Sequence, residues 1–290
     1  MRLTKGEKIF RVFDCLFVLM FAFIAVYPFW YVLVASLSEG SAVQAGQVFF
    51  VPHNFTVKAY HEVLSQGQIP RAYLNSVIYT ASGTLVSITL TICAAYPLSK
   101  SRLKGRGIIT FLIAFTMWFS AGTIPIYLNF RSLNLLNNPL ALIIGFAVAP
   151  FYVIILRTYF QSIPDSLEEA AKIDGASDIY IMIRIYLPLA VPSIMTLVLY
   201  YMVAKWNSYF WAMVLLTDER LVPLQVLLTK LITEMKSAEE LVKVMDVETN
   251  YTRETIIYAT IVIAVVPMLM VYPFIQKYFV KGVMVGSIKG

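Results

Sequence analysis

The chain has 290 residues, of which 59% are hydrophobic and only 14% charged, with a mean hydropathy of +0.73; soluble domains run nearer about 45–50% apolar and 25% charged. Water is therefore not its main solvent, and the formal charge of +6 does not point to nucleic acid, because the basic residues lie beside apolar runs where membrane topology accounts for them. The only cysteines, Cys15 and Cys93, fall inside apolar segments, which excludes a disulfide framework and a thiolate metal site.

Six segments are long and apolar enough to cross roughly 30 Å of hydrocarbon at about 1.5 Å per residue: 13–37, 73–97, 108–130, 139–159, 189–216 and 255–279. The expected fold class is an all-α membrane protein of six transmembrane helices. The first span follows Arg2, Lys5, Lys8 and Arg11, as a signal peptide would, but its apolar stretch exceeds the usual 7 to 15 residues, so it is read as a retained anchor. Basic residues then set the orientation. The cluster Lys100, Arg102, Lys104 and Arg106, the group Arg157, Lys172 and Arg184, and the terminal Lys277, Lys281 and Lys289 all fall on the N-terminal side. Both termini are accordingly expected in the cytoplasm. Pro28, Pro97, Pro125, Pro150, Pro192, Pro267 and Pro273 sit in or at the ends of spans; static bending is favoured over gating for them.

Two units of organisation are expected: residues 1–72 with the N-terminal tail, first span and outer loop, and a core of five spans over 73–290 containing a cytoplasmic loop at 160–188. Two outer connections are too long for simple turns. Segment 38–72 carries His53 and His61, and the acidic loop 217–254 reads as helical from Lys230 to Met245.

The loop between the fourth and fifth spans reads as two short surface helices. Pro164 suits a first helical turn, and Asp165, Glu168 and Glu169 complement the positive end of the helix dipole. Leu167, Ala170, Ala171 and Asp174 share one narrow face with small side chains. Gly175 is placed to end this helix with a positive φ, Ser177 to cap the next, and Pro188 to stop it before the fifth span.

Glu169-Ala170-Ala171, Gly175, Ile185 and Leu187-Pro188 stand at the spacing of the EAA loop, and the chain resembles the permease subunits of ABC importers in every anchor of that pattern. Trp206-Asn207-Ser208-Tyr209 and the tail from Lys281 to Gly290 resemble the carbohydrate branch, the maltose-type second permease. Trp118 to Pro125 looks closest to subunits serving complex oligosaccharides. The resemblance covers essentially the whole chain. It implies the type I ABC importer permease fold and import of a sugar or oligosaccharide by alternating access across a bacterial or archaeal cytoplasmic membrane. It implies a heterodimer with a second permease, two ATPase subunits carrying ATP and Mg, and an external solute-binding protein. Glu169, Ala170, Ala171, Asp174, Gly175, Ile185, Leu187 and Pro188 become ATPase-coupling residues. The tail residues Ser287, Lys289 and Gly290 are either a contact with the ATPase or a solvated tail. Glu239, Glu240 and Asp246 in the last outer loop suit docking of the binding protein.

The chain itself has no G-x-x-x-x-G-K-[ST], H-E-x-x-H or G-x-S-x-G, and its two histidines lie outside the spans; a nucleotide, metal or catalytic site is not expected, and no cofactor is assigned to it. Small and polar residues form a stripe on the second span, where close packing is the better reading, and on the fifth. There Tyr200, Asn207 and Trp211 serve packing or a translocation pathway equally well. Lys205, off that stripe, is the one basic residue well inside a span, open to substrate binding, snorkelling or contact with a partner permease. An ion-gradient transporter is the competing reading; it predicts inverted repeats and an intramembrane acid, and the sequence shows neither.

Overall fold

A computed structural model describes residues 4–65, 67–239 and 252–286, and among them helix is the only regular structure. The helices are α1 (Lys5–Ser36), α2 (Gly40–Gln44), α3 (Lys58–Ser65), α4 (Gln68–Ser99), α5 (Arg106–Phe115), α6 (Thr123–Ser132), α7 (Leu140–Ile144), α8 (Pro150–Gln161), α9 (Asp165–Ile173), α10 (Asp178–Ile181), α11 (Leu187–Leu189), α12 (Val191–Trp206), α13 (Phe210–Leu215), α14 (Leu224–Glu239) and α15 (Arg253–Gly286), with a π-helical turn at Met182–Tyr186. They form two compact units: the chain up to Ile69 with Leu228–Val266, and Pro70–Leu227 with the chain from Pro267.

In the first unit α1 opens with a capping box in which the Glu7 N–H donates to Thr4 Oγ1 at 3.3 Å and the Thr4 N–H donates to Glu7 Oε2 at 2.7 Å. Phe13, Leu16, Phe17, Phe21 and Phe23 on this helix are each more than half exposed, which fits a helix facing an apolar environment. The segment that follows is ordered by small contacts. Ser38 Oγ donates to the Val34 carbonyl and accepts from the His53 N–H at 3.1 Å, around a core of Val34, Ala35, Ala42, Val43 and Val48. The connection 217–254, read from the sequence as an outer loop, becomes helical at Leu224, earlier than the Lys230 read from sequence; Glu240, Asp246 and the tail residues Ser287, Lys289 and Gly290 lie outside the described residues, as does the side chain of Glu239.

The second unit is centred on the cluster Tyr96, Leu156, Phe160, Ile181, Tyr186 and Leu197, contributed by α4, α8, α10, the π turn and α12. A second cluster closes on Phe130, Ala141 and Leu215. Among the described residues, three helices are long and apolar enough to cross a membrane: α1, α4 and the Arg253–Pro273 part of α15. A fourth candidate pairs Asp178–Leu189 with α12 across an 82° bend at Ala190.

The three remaining spans read from the sequence as continuous are broken. At 108–130 the helix stops at Phe115 and restarts after Gly122, whose φ of 82° and ψ of 169° suit glycine alone. At 139–159 the break runs through Gly145 and Phe146 to Ala149, which is extended because the Pro150 ring disfavours helical geometry in the residue before it. At 189–216 the break falls at Asn207, whose side-chain amide donates to the Val203 carbonyl at 3.0 Å and closes α12. The physical reason is local: glycine, pre-proline geometry and a side chain that competes for backbone partners.

Gly145 admits no side chain, because a Cβ would lie 2.0 Å from the Ala141 carbonyl oxygen and 2.7 Å from the Phe130 ring. Gly145→Ala should therefore destabilise the α7–α8 corner by roughly 1–3 kcal/mol, read as a lower thermal midpoint of the detergent-purified protein. Gly107→Ala, with nothing within 4 Å, is the control that should leave it unchanged.

Candidate coupling loop and transport cavity

Helix α9 ends where Gly175 takes φ 77°. The Gly175 N–H donates to the Lys172 carbonyl at 3.0 Å and the Ala176 N–H to the Ala171 carbonyl at 2.9 Å, the paired bonds of a Schellman motif. Ser177 caps α10 by accepting from the Tyr180 N–H at 3.3 Å. Pro188, which cannot donate to a carbonyl one turn back, comes two residues after the π turn at Met182–Tyr186 ends, and the chain bends at Ala190, two residues beyond the stop read from the sequence.

The loop has two faces. Glu169, Ala170, Asp174 and Gly175 are exposed, together with Leu167, Ile173, Ile179 and Tyr180, of which Ile173 is 86% exposed. Ala171, Ile185 and Leu187 turn the other way and pack on the main core.

The buried acid of α9 is Glu168, the residue before the motif, 6% exposed. Its Oε2 accepts from Lys100 Nζ at 2.5 Å and from the Tyr186 hydroxyl at 3.0 Å, and its Oε1 accepts from Lys172 Nζ at 2.5 Å. Arg102 approaches Oε1 at 3.6 Å and pairs with Asp178. Lys100 Nζ lies 3.3 Å from the centroid of the Tyr186 ring, a cation–π contact, and Tyr96, Phe160 and Tyr186 meet edge to face around it at 5.3–6.2 Å. Burial alone would raise the Glu168 carboxyl, but the Lys100 and Lys172 hydrogen bonds outweigh it and hold the group at about 2. Burial, followed by the bond to Glu168, pushes the Tyr186 phenol up. The cluster ties the coupling loop to the chain that leaves α4.

The other site is a cavity of about 260 Å³ lined by α4, the α7–α8 corner and α12, among whose walls are Thr80, Tyr152, Tyr201, Lys205, Ser208 and Trp211. Tyr201 is fixed there, sharing a hydrogen bond of 2.7 Å with Thr91 and accepting from the Ala149 N–H at 3.1 Å. Lys205 Nζ donates to the carbonyls of Leu142 at 3.1 Å and Ile143 at 3.4 Å.

Residues 9–285 match the sequence profile of the binding-protein-dependent transport system inner membrane component family. The chain belongs to that family. Among its relatives is the permease YtcP of a polygalacturonan/rhamnogalacturonan transport system in Bacillus subtilis, 43% identical over 97% of this chain and 99% of the relative. The trehalose/maltose permease MalG of Thermococcus litoralis is 27% identical, with 99% of each chain covered. A solved chain of a bacterial ABC transporter that imports the acidic polysaccharide alginate superposes with a TM-score of 0.88 at 41% identity, covering 96% of this chain and 99% of that one. As a member, the permease is a multi-pass protein of the plasma membrane, and ATP hydrolysis belongs to a partner ATPase.

In the permease the coupling residues read from the motif come together in one loop and divide between its faces. The four pathway residues do not stay together. Lys205 and Trp211 line the cavity, whereas Tyr200 reaches its edge only by stacking on Tyr152 at 5.7 Å and Asn207 is exposed and bonded to its own helix. Glu168 was missed by the motif. Its i,i+4 spacing to Lys172 was a visible signal, but Lys100 and Arg102 read only as topology.

Glu168→Gln should leave Lys100 buried beside a neutral amide and destabilise the loop mount by on the order of 3 kcal/mol. Adding Lys100→Met should recover part of that loss, measured as a double-mutant cycle on thermal midpoints; additive losses would show that the pair is not coupled. Because the folded pKa lies below the ordinary 4.5, this stabilisation is complete above about pH 4.5 and is lost only as pH falls toward 2, so the Glu168 contribution should be flat between about pH 5 and 8.

Proposed function

We propose that this chain is the transmembrane subunit of an ATP-driven, binding-protein-dependent importer that carries a saccharide into the cytoplasm by alternating access. The observation that carries the reading is the two-faced loop: Glu169, Ala170 and Gly175 turn a small-residue, partly apolar face outward while Ala171 packs inward and Glu168 binds the inner face to the permease core. An exposed face of Leu167, Ala170 and Ile173 beside Glu169 offers a partner ATPase apolar contact with a polar rim, the make-up of a protein interface.

The working assembly is then a heterodimer with a second permease, two ATPases holding ATP and Mg, and an external solute-binding protein. Six crossings follow if α1, α4 and α15 cross whole and the pairs α5–α6, α7–α8 and α12–α13 cross as broken helices. Interrupted backbone is tolerated at membrane depth where it lines a cavity. Both termini and the coupling loop lie on the cytoplasmic side in this arrangement, as the positions of the basic residues favour. The relatives named above serve polygalacturonan/rhamnogalacturonan, the acidic polysaccharide alginate, and trehalose and maltose; they support a saccharide, acidic in the first two cases and neutral in the third.

Two experiments test this. Gly175→Asp adds a side chain at φ 77°, a strain of roughly 1 kcal/mol, and obstructs docking. Glu169→Lys reverses an exposed charge on a helix that tolerates either residue. Both variants should accumulate in the membrane yet lose ATPase co-purification and labelled-oligosaccharide uptake; retention of both at wild-type level would contradict the coupling assignment. For topology, a cysteine placed at Ser177 should react with a membrane-impermeant maleimide only after cells are opened, and one at Asp218 in intact cells. The reverse pattern would refute the orientation.

A further inference from the structure

The cavity beside Lys205 contains a charge without a counter-charge. Lys205 sits in the last turn of α12, in a segment of the fifth span, where an ammonium is costly enough to need a reason. Its stem is given room by Gly83 of α4: a Cβ there would fall 2.6 Å from Lys205 Cδ and 2.8 Å from Cε. The ammonium is thereby held toward the carbonyls of Leu142 and Ile143, at the end of the short helix α7. These are dipoles and satisfy two of its three donors. Among the described residues no carboxylate forms an ion pair with it.

The rest of the wall suits a sugar. Tyr152 and Trp211 present aromatic surface, and Thr80 and Ser208 bring hydroxyls. At about 260 Å³ the cavity lies at the small end of ligand sites, which begin near 300 Å³, so it suits part of a chain rather than a whole oligosaccharide.

We propose that this cavity is a carboxylate-binding subsite in which the Lys205 ammonium pairs with the acid group of a uronate residue, so that the saccharide carried is anionic. The proposal rests on the reading of the chain as an import permease and adds the substrate's charge to it. Lysine fits the task because its ammonium keeps one donor for the passing ligand while the two carbonyls fix its position, and a single point charge holds a moving anion without the grip of a bidentate guanidinium.

The test uses the assembled importer in proteoliposomes, with its partner permease, ATPases and binding protein, and two probes: trigalacturonate and its fully methyl-esterified, uncharged counterpart. The binding protein is the same throughout, so the change in the acid-to-ester uptake ratio reports the permease. Lys205→Met should lower that ratio by at least roughly tenfold, mainly through a raised KM for the acid, and Lys205→Arg should restore most of it. An unchanged ratio in Lys205→Met, with import intact, would overturn the subsite and leave the importer reading standing. Loss of the partner permease on purification of Lys205→Met would also overturn it, by assigning the charge to the subunit interface. Absence of saccharide import by the wild-type assembly would refute both. A measurement without substitution closes the test: trigalacturonate, and not the ester, should protect Lys205 from an amine-reactive reagent, read by peptide mass spectrometry, and equal labelling with and without the acid would overturn the proposal.

Discussion

The buried carboxylate of Glu168 is the interaction on which the arrangement of the second unit depends. An isolated carboxylate cannot be taken out of water, and here three donors meet it: Lys100, Lys172 and the Tyr186 hydroxyl. Those donors come from the chain after α4, from α9 itself and from the π turn. Satisfying one charge therefore fixes three pieces of backbone that local propensity alone would leave independent. Removing a donor would leave a buried charge uncompensated, so the cluster acts as a unit. The edge-to-face rings of Tyr96, Phe160 and Tyr186 supply the apolar surroundings that make the electrostatics strong.

From this mount one continuous element leads to the cavity beside Lys205. Helix α4 carries Tyr96 near its C-terminal end, Gly83 against the stem of Lys205, and Ser76, Tyr79 and Thr80 on the cavity wall. Beyond the cavity it is strapped to the chain that follows α13. The Tyr79 hydroxyl donates to the Leu221 carbonyl at 3.0 Å, Ser76 accepts from the Leu224 N–H at 2.8 Å, and the Asn75 amide donates to the Arg220 and Val222 carbonyls. Helix α4 thus joins the Glu168 cluster, the cavity wall and the chain after α13 in one continuous element. Pro97 lies inside the last turn of the helix, where the missing N–H loosens one backbone bond on the cavity side of the ionic mount.

How much of this was legible in the sequence follows from the range of the interactions. The long spans α1, α4 and α15 are visible because hydropathy is a property of a contiguous window, and the turn at Gly175 because a Schellman motif is set by residues within one helical end. The breaks at Gly122, Gly145–Ala149 and Asn207 were hidden inside apolar runs, where hydropathy stays high although the backbone leaves the helix. The partner of Glu168 is 68 residues away at Lys100, and no periodicity links positions so far apart. Lys205 was conspicuous as a charge in a span, yet its anchoring carbonyls at Leu142 and Ile143 belong to a backbone break that the sequence did not announce. Tyr200 and Asn207 looked like pathway residues because they share a stripe with Trp211; the kink at Asn207 takes them out of register with it.

Pinned through Glu168, the EAA loop and the Lys100 end of α4 should move as one body. Spin labels at Ser101 and Ser166, measured by double electron–electron resonance in the assembled importer, report that relation directly. The distance distribution should stay narrow and unshifted between the nucleotide-free state and the state trapped with a non-hydrolysable ATP analogue, and should broaden in Glu168→Gln. A shift of the wild-type distance between the two states would contradict the account, since the loop would then be sliding past α4 instead of carrying it.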